Sequence, residues 1–180
     1  IVISIPGGEK QAEKTFNPHL GIVGGLSVLG TTGIVEPMSE AALIETIRLS
    51  LKQTAALGKR DLIVVPGNYG ERFLEKVLGL DLNQGVKCSN YIGETLDMAV
   101  ELGFQRLLLV GHGGKLVKLA AGIMNTHSSQ ADGRREILAA YGAACGASRR
   151  ITEEILQAAT VDQGLDFLEE ENLREPVMER

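Results

Sequence analysis

The chain has 180 residues, 44% of them hydrophobic and 23% charged, with a net charge of −5. That length supports one domain with a sizeable core, and the composition excludes a disordered chain. The acidic balance, with no basic block, argues against nucleic acid or an anionic membrane as partner, so a small polyanion would need a locally positive pocket.

Ile1-Val2-Ile3-Ser4-Ile5 reads as a strand ending at Pro6-Gly7-Gly8. No methionine opens it, as expected either of a segment of something longer or of a processed terminus. Residues 1–18, strand and polar connector, are expected to belong with a preceding region, and 19–180 to form one α/β unit. Leu26 to Leu29 is a short strand candidate, followed by the loop Gly30 to Met38. Ser39 is a good N-cap and Gly58 a good C′ residue for a helix whose apolar stripe is Ile44, Ile47, Leu51 and Ala55. Leu62 to Val65 is an uninterrupted apolar run, as expected of a strand covered on both faces. After it come Gly67-Asn68-Tyr69-Gly70 and a helix carrying Phe73, Leu74, Val77 and Leu78 on one side, closed by Gly79.

Val86-Lys87-Cys88 is a weaker strand, leading through Ser89-Asn90 into a helix with Ile92, Leu96 and Ala99, closed by Gly103. Leu107 to Val110 is another strand of the buried type. Gly111-His112-Gly113-Gly114-Lys115 then opens a helix with Leu116, Leu119, Ala120 and Ile123. Further helices are expected over about 134–146, after Ser148, and through the capping pattern Thr160-Val161-Asp162-Gln163. The acidic tail from Glu169 reads as a helix end and a frayed terminus. Strand, loop and helix alternate four times, which predicts an α/β fold: a mostly parallel open sheet with helices on both faces, Rossmann-like and three-layered, followed by C-terminal helices.

In open α/β sheets, ligands bind outside the carboxyl ends of the strands. All four strand-to-helix turns are rich in glycine or small polar residues, whereas the opposite turns, such as Gly58-Lys59-Arg60 and Gly103-Phe104-Gln105, look like ordinary caps. This asymmetry places a site at one rim of the sheet. Each turn also has a purely structural reading: Gly67 and Gly111 suit tight turns, Thr32 and Ser89 suit caps, and Tyr69 suits the rim of a core. Gly30-Thr31-Thr32-Gly33 can aim backbone N–H groups and hydroxyls at a polar group. Pro37 holds Glu36 extended, either to accept hydrogen bonds from a ligand or to cap a neighbouring turn. No P-loop, G-x-G-x-x-G or G-x-S-x-G pattern is met. Cys88, Cys145 and the three histidines show no metal-ligand spacing, so no metal site is expected. Two unpaired cysteines read as the reduced thiols of a cytoplasmic protein. No apolar run is long enough to span a bilayer.

"LGTTGIVEPMS" (29–39), "GNYG" (67–70), "KCSNYIGETLDMA" (87–99) and "GHGGKLVKLAAGIMNTHSSQADGR" (111–134) closely resemble the CbiD family. The likeness runs from about Gly21 to the helices near residue 170 and corresponds to the C-terminal part of a family chain. Gly113 departs from it, a larger apolar residue being expected there. The resemblance implies an enzyme of anaerobic cobalamin biosynthesis, transferring a methyl group from S-adenosylmethionine to C1 of cobalt-precorrin-5B. Cobalt would then arrive only inside the corrinoid substrate, and association into a homo-oligomer is compatible with this reading. On it, Gly30, Thr31, Thr32, Gly33, Glu36, Asn68, Tyr69, Ser89 and Asn90 are placed on a cofactor or substrate pocket. His112, Lys115, Asn125, Thr126 and His127 form the other wall, with His112 as the proton-handling residue. Lys115, Lys118, Arg134 and Arg135 are the local donors for substrate carboxylates, the last three also fitting a solvated surface. Two other readings stay open: a non-catalytic α/β module binding an anionic metabolite or tetrapyrrole, and a nucleotide-dependent enzyme with an unusual phosphate loop.

Overall fold

A computed structural model describes residues 4–15, 17–26, 39–80 and 85–180. The first three residues of the expected opening strand, most of the candidate strand at 26–29, and Gly30, Thr31, Thr32, Gly33 and Glu36 lie outside the described residues. Ser4 and Ile5 are exposed and belong to no strand. The expected polar connector instead winds into a short helix α1 (Gly8–Ala12), with Ala12 buried, and a 3-10 turn at Asn17–Leu20.

Helix α2 (Glu40–Ala56) starts where the sequence predicts. The Ser39 hydroxyl accepts from the Ala42 N–H at 3.2 Å, and Gly58 takes the left-handed conformation that ends the helix. Among the described residues three parallel strands follow, β1 (Asp61–Val65), β2 (Gly85–Lys87) and β3 (Arg106–Leu109), in the order β2-β1-β3. The most apolar strand is central: Val64 lies opposite both Val86 and Leu109. On that face, Leu62, Val64 and Val86 pack under Ile47 and Leu51 of α2 and Ile92, Met98 and Ala99 of helix α4 (Ile92–Glu101). On the other face, Val65 packs with Leu74 and Val110. Helices therefore cover both faces of β1, as alternating apolar burial on a doubly covered strand requires.

Three local expectations are corrected. Leu107 and Leu108 of β3 are 37% and 44% exposed, because β3 stands at the sheet edge among the described residues and its helical cover is incomplete. Between the first two strands, helix α3 (Asn68–Phe73) widens into a π turn at Leu74–Leu78. Wider winding rotates successive side chains off the 3.6-residue period, so only Leu74 is buried while Phe73, Val77 and Leu78 stay exposed. The helix expected through Ile123 is broken into α5 (Gly113–Leu116) and a 3-10 turn at Val117–Ala121, closed by left-handed Gly122.

The remaining helices form a second core. Helices α6 (Arg134–Ala144), α7 (Arg149–Gln157) and α8 (Val161–Glu169) bury Leu138, Ile151, Ile155, Leu165 and Leu168 against one another. Ser148 caps α7 and Thr160 caps α8, each through its hydroxyl. Gly164 sits where a Cβ would lie 2.6 Å from Leu138 Cδ2, so a side chain there would require Leu138 to shift. The tail is not frayed: Asn172, in the left-handed region, turns the chain into α9 (Arg174–Met178), whose Val177 joins the core.

Candidate functional site

The turns that follow β1, β2 and β3 converge on one cleft of about 390 Å³ at the carboxyl ends of the strands. Pro66, Gly67, Tyr69 and Gly70 come from the first turn, Asn90 from the second, and His112, Gly114 and Lys115 from the third. Thr126, His127, Ser128, Lys118 and Arg134 complete the wall. Gly70 is required where it stands, since a Cβ there would fall 2.2 Å from the Val110 carbonyl oxygen.

Lys115 ties the three turns together. Its ammonium donates to the Pro66 carbonyl at 2.7 Å, to Asn90 Oδ1 at 2.8 Å and to the Ser89 carbonyl at 3.4 Å. Burial, above all, lowers its pKa from the ordinary lysine value; the nearby Cys88 opposes this and Lys118 adds to it. Ser89 is left-handed at φ 54°, an uncommon state for a residue with a Cβ, and that turn presents its carbonyl to the lysine. Lys118 is only 2% exposed, and the tight 3-10 winding carries it inward to the carbonyls of Ala131 at 2.7 Å and Thr126 at 3.2 Å. Among the described residues, neither ammonium hydrogen-bonds to a carboxylate. Among the described residues, the two ammonium groups are therefore hydrogen-bonded only to carbonyl and amide oxygens, with the Asp132 carboxylate, itself held by Arg134, acting on Lys118 from a distance.

Residues 124–126 are stitched onto the start of α4. Gly93 N–H donates to the Met124 carbonyl at 3.2 Å, Thr126 N–H to the Asn90 carbonyl at 3.0 Å, and Tyr91 bridges Asn125. The Thr126 hydroxyl donates to Asn90 Oδ1 at 3.3 Å. Asn125 itself is used within the loop, its Oδ1 accepting from the His127 N–H at 3.1 Å. His127 Nδ1 lies 2.7 Å from the Ser129 hydroxyl.

His112 caps α5, with Nδ1 accepting from the Gly114 N–H at 3.1 Å. An uncharged imidazole has one donor and one acceptor nitrogen, so its proton sits on Nε2, which faces Asp162 Oδ2 at 3.5 Å. The Tyr69 ring stands 5.2 Å away, centroid to centroid. Arg134 is latched by two hydrogen bonds of 2.8 Å to Asp132, and these bonds, against a smaller effect of burial, hold the Asp132 carboxyl well below the usual carboxylate range.

Of the residues singled out in the sequence, Tyr69, Asn90, His112, Lys115, Thr126 and His127 line one cleft. Ser89 contributes a carbonyl from beneath, while Asn68 begins α3 and Asn125 shapes the loop, both outside the lining. Arg135 lies beside a separate depression near Thr160. Two participants carry little sequence signal. Lys118 is read as equally a surface charge, and its burial depends on carbonyls eight and thirteen residues further on. Asp162 reaches His112 from a helix fifty residues away. Among the described residues, no group of three or more His, Cys, Asp or Glu is placed to hold a metal ion, and no helix is long and apolar enough to cross a membrane.

Comparisons with known proteins bear on the whole chain. A family model described as CbiD matches residues 1–37, and one described as CbiD, C-terminal domain, matches residues 125–180. A protein of Ruminiclostridium cellulolyticum named cobalt-precorrin-5B C(1)-methyltransferase is 54% identical over 177 residues, covering 98% of this chain and 46% of the relative. Proteins of the same name from a Thermoanaerobacter species and from Photorhabdus laumondii are 51% and 47% identical, over 94% and 97% of this chain and 46% of each relative. The chain thus spans about half the length of the curated relatives it matches. No solved structure matches it significantly.

Proposed function

Because the chain belongs to the CbiD family, we propose that it takes part in methyl transfer from S-adenosylmethionine to C1 of cobalt-precorrin-5B, giving cobalt-precorrin-6A in anaerobic cobalamin biosynthesis. The observation that carries this reading beyond family likeness is the pair of ammonium groups, Lys115 and Lys118, beside a cleft with no carboxylate bonded to either among the described residues. A substrate rich in carboxylates, or the carboxylate of an amino-acid donor, answers that imbalance. The cleft volume of about 390 Å³ falls at the small end of ligand pockets, about 300–1,000 Å³. It accommodates the methyl donor or one edge of a tetrapyrrole.

Bound S-adenosylmethionine supplies an electrophilic methyl group, whose transfer needs alignment and exclusion of water more than acid–base machinery. The chain contributes the alignment. Lys115 locks the three turns at fixed separations, Thr126 and the 124–126 bridge hold the far wall, and Tyr69, 71% exposed, stands at the mouth. His112 presents its proton at Nε2 and so acts there as a donor, since Nδ1 accepts from the Gly114 N–H, and taking up a proton would release that cap. Gly30, Thr31, Thr32, Gly33 and Glu36 remain proposed for the same pocket on the strength of the motif.

The test is calorimetric titration of the chain with S-adenosylhomocysteine and, separately, with the cobalt-bearing tetrapyrrole. Binding of the nucleoside is expected. Binding of tetrapyrrole alone would reduce the chain to a module that holds substrate, and binding of neither would remove the reading. In the complete enzyme, His112→Ala is expected to lower turnover at saturating substrate by ~100-fold, and unchanged turnover would end the role given to His112.

A further inference from the structure

The amide of Asn90 is oriented by chemistry. An ammonium can only donate, so the Asn90 atom 2.8 Å from Lys115 Nζ is the oxygen, and the Thr126 hydroxyl donates to that same oxygen. The amide nitrogen must then point the other way, carrying two N–H groups. No protein acceptor meets it among the described residues. It is not sealed off either, because no buried side-chain nitrogen or oxygen there lacks a partner. The nitrogen of this half-buried side chain therefore reaches solvent, and Asn90 lines the cleft.

Lys115 spends its protons on Pro66, Ser89 and Asn90, leaving it a source of charge more than a direct contact. Lys118 adds a second positive charge behind the same wall. We propose that Asn90 Nδ2 is the donor that reads a ligand carboxylate, with Lys115 as the positioning residue that turns the amide toward the cleft. A donor at this point excludes ammonium and N–H groups of a ligand, while the two lysine charges favour an anion over a neutral carbonyl. This rests on the methyltransferase reading for its ligand. The carboxylate comes either from the amino-acid end of the methyl donor or from a side arm of the tetrapyrrole.

Asn90→Asp separates the ligand role from a structural one. The carboxylate keeps an acceptor for Lys115 and Thr126 and presents oxygen to the cleft where the N–H groups stood. Thermal unfolding is expected to be unchanged or shifted upward, while affinity falls about tenfold or more. Equal affinity of N90D and the native chain would overturn the proposal. Decarboxylated S-adenosylhomocysteine and the methyl-esterified tetrapyrrole identify the source: the N90D penalty disappears for whichever analogue lacks the carboxylate in question, and its persistence with both analogues would overturn the proposal. If the native chain binds neither parent ligand, the methyltransferase reading fails, and acetate followed by NMR at the Asn90 side-chain amide decides what is left. A saturable shift there, absent from Lys115→Met, supports the carboxylate site; no shift overturns it.

Discussion

Asp132 shows how a single side chain sets the electrostatics of the cleft wall. Its carboxyl takes two hydrogen bonds from the Arg134 guanidinium and further ones from the Gly133 and Arg134 N–H groups. Folding therefore favours its charged form, and the stability this adds is present above the ordinary aspartate pKa of about 3.9 and lost as pH falls through the lower folded value. Asp132→Asn is expected to be less stable than the native chain by a constant margin from pH 5 to 8. In urea unfolding series that margin should narrow below about pH 4; a margin independent of pH would contradict it. Cys88 shows the opposite shift, its thiol pushed up to about 11 chiefly by burial, which keeps it neutral and chemically quiet beside Lys115.

The start of α5 sets two neighbouring glycines in contrast. A Cβ on Gly114 would meet His112 Nδ1 at 3.2 Å and disturb the cap, whereas one on Gly113 would meet only Val161 Cγ1 at 3.9 Å. Beside Gly113 lies an apolar cavity of about 320 Å³, lined by Leu116, Val117, Ala120, Ile137 and Tyr141 among others. The family resemblance leads one to expect a larger apolar residue at 113, and the structure has room for one. Gly113→Ala is expected to stabilise the chain by about 0.4–1 kcal/mol, read as a raised melting temperature. Other elements were legible to different degrees. Ser39, Ser148, Thr160 and Gly58 mark their helix ends because capping is local chemistry between residues a few positions apart. Leu107, Leu108, Phe73 and Val77 look like core and are not, because exposure depends on what else packs there, which an apolar run does not encode.

Across the whole molecule, a sheet core under α2 and α4 and a helical core of α6 to α9 meet beside the cleft, through α5 and α8. The α/β class and the rim that carries the cleft follow from alternation and from glycine-rich turns at one end only, both visible in sequence. The second core's last helix and the inward turn of Lys118 were not, since each depends on contacts that exist only after the chain has closed on itself. Saturating S-adenosylhomocysteine, at 100 times its dissociation constant, is expected to add about 2.7 kcal/mol to stability. The accompanying hydrogen-exchange protection should concentrate at α5 and residues 124–128 and spare α7 and α9; uniform protection would argue that the ligand sits elsewhere. The lysine tethers have one more consequence. Pro66, Ser89, Asn90, Lys115 and Thr126 are drawn from four separate stretches of polypeptide, so the receptor exists only once all four have come together. Ligand uptake in a renaturation experiment would therefore count only molecules in which these stretches have closed on one another.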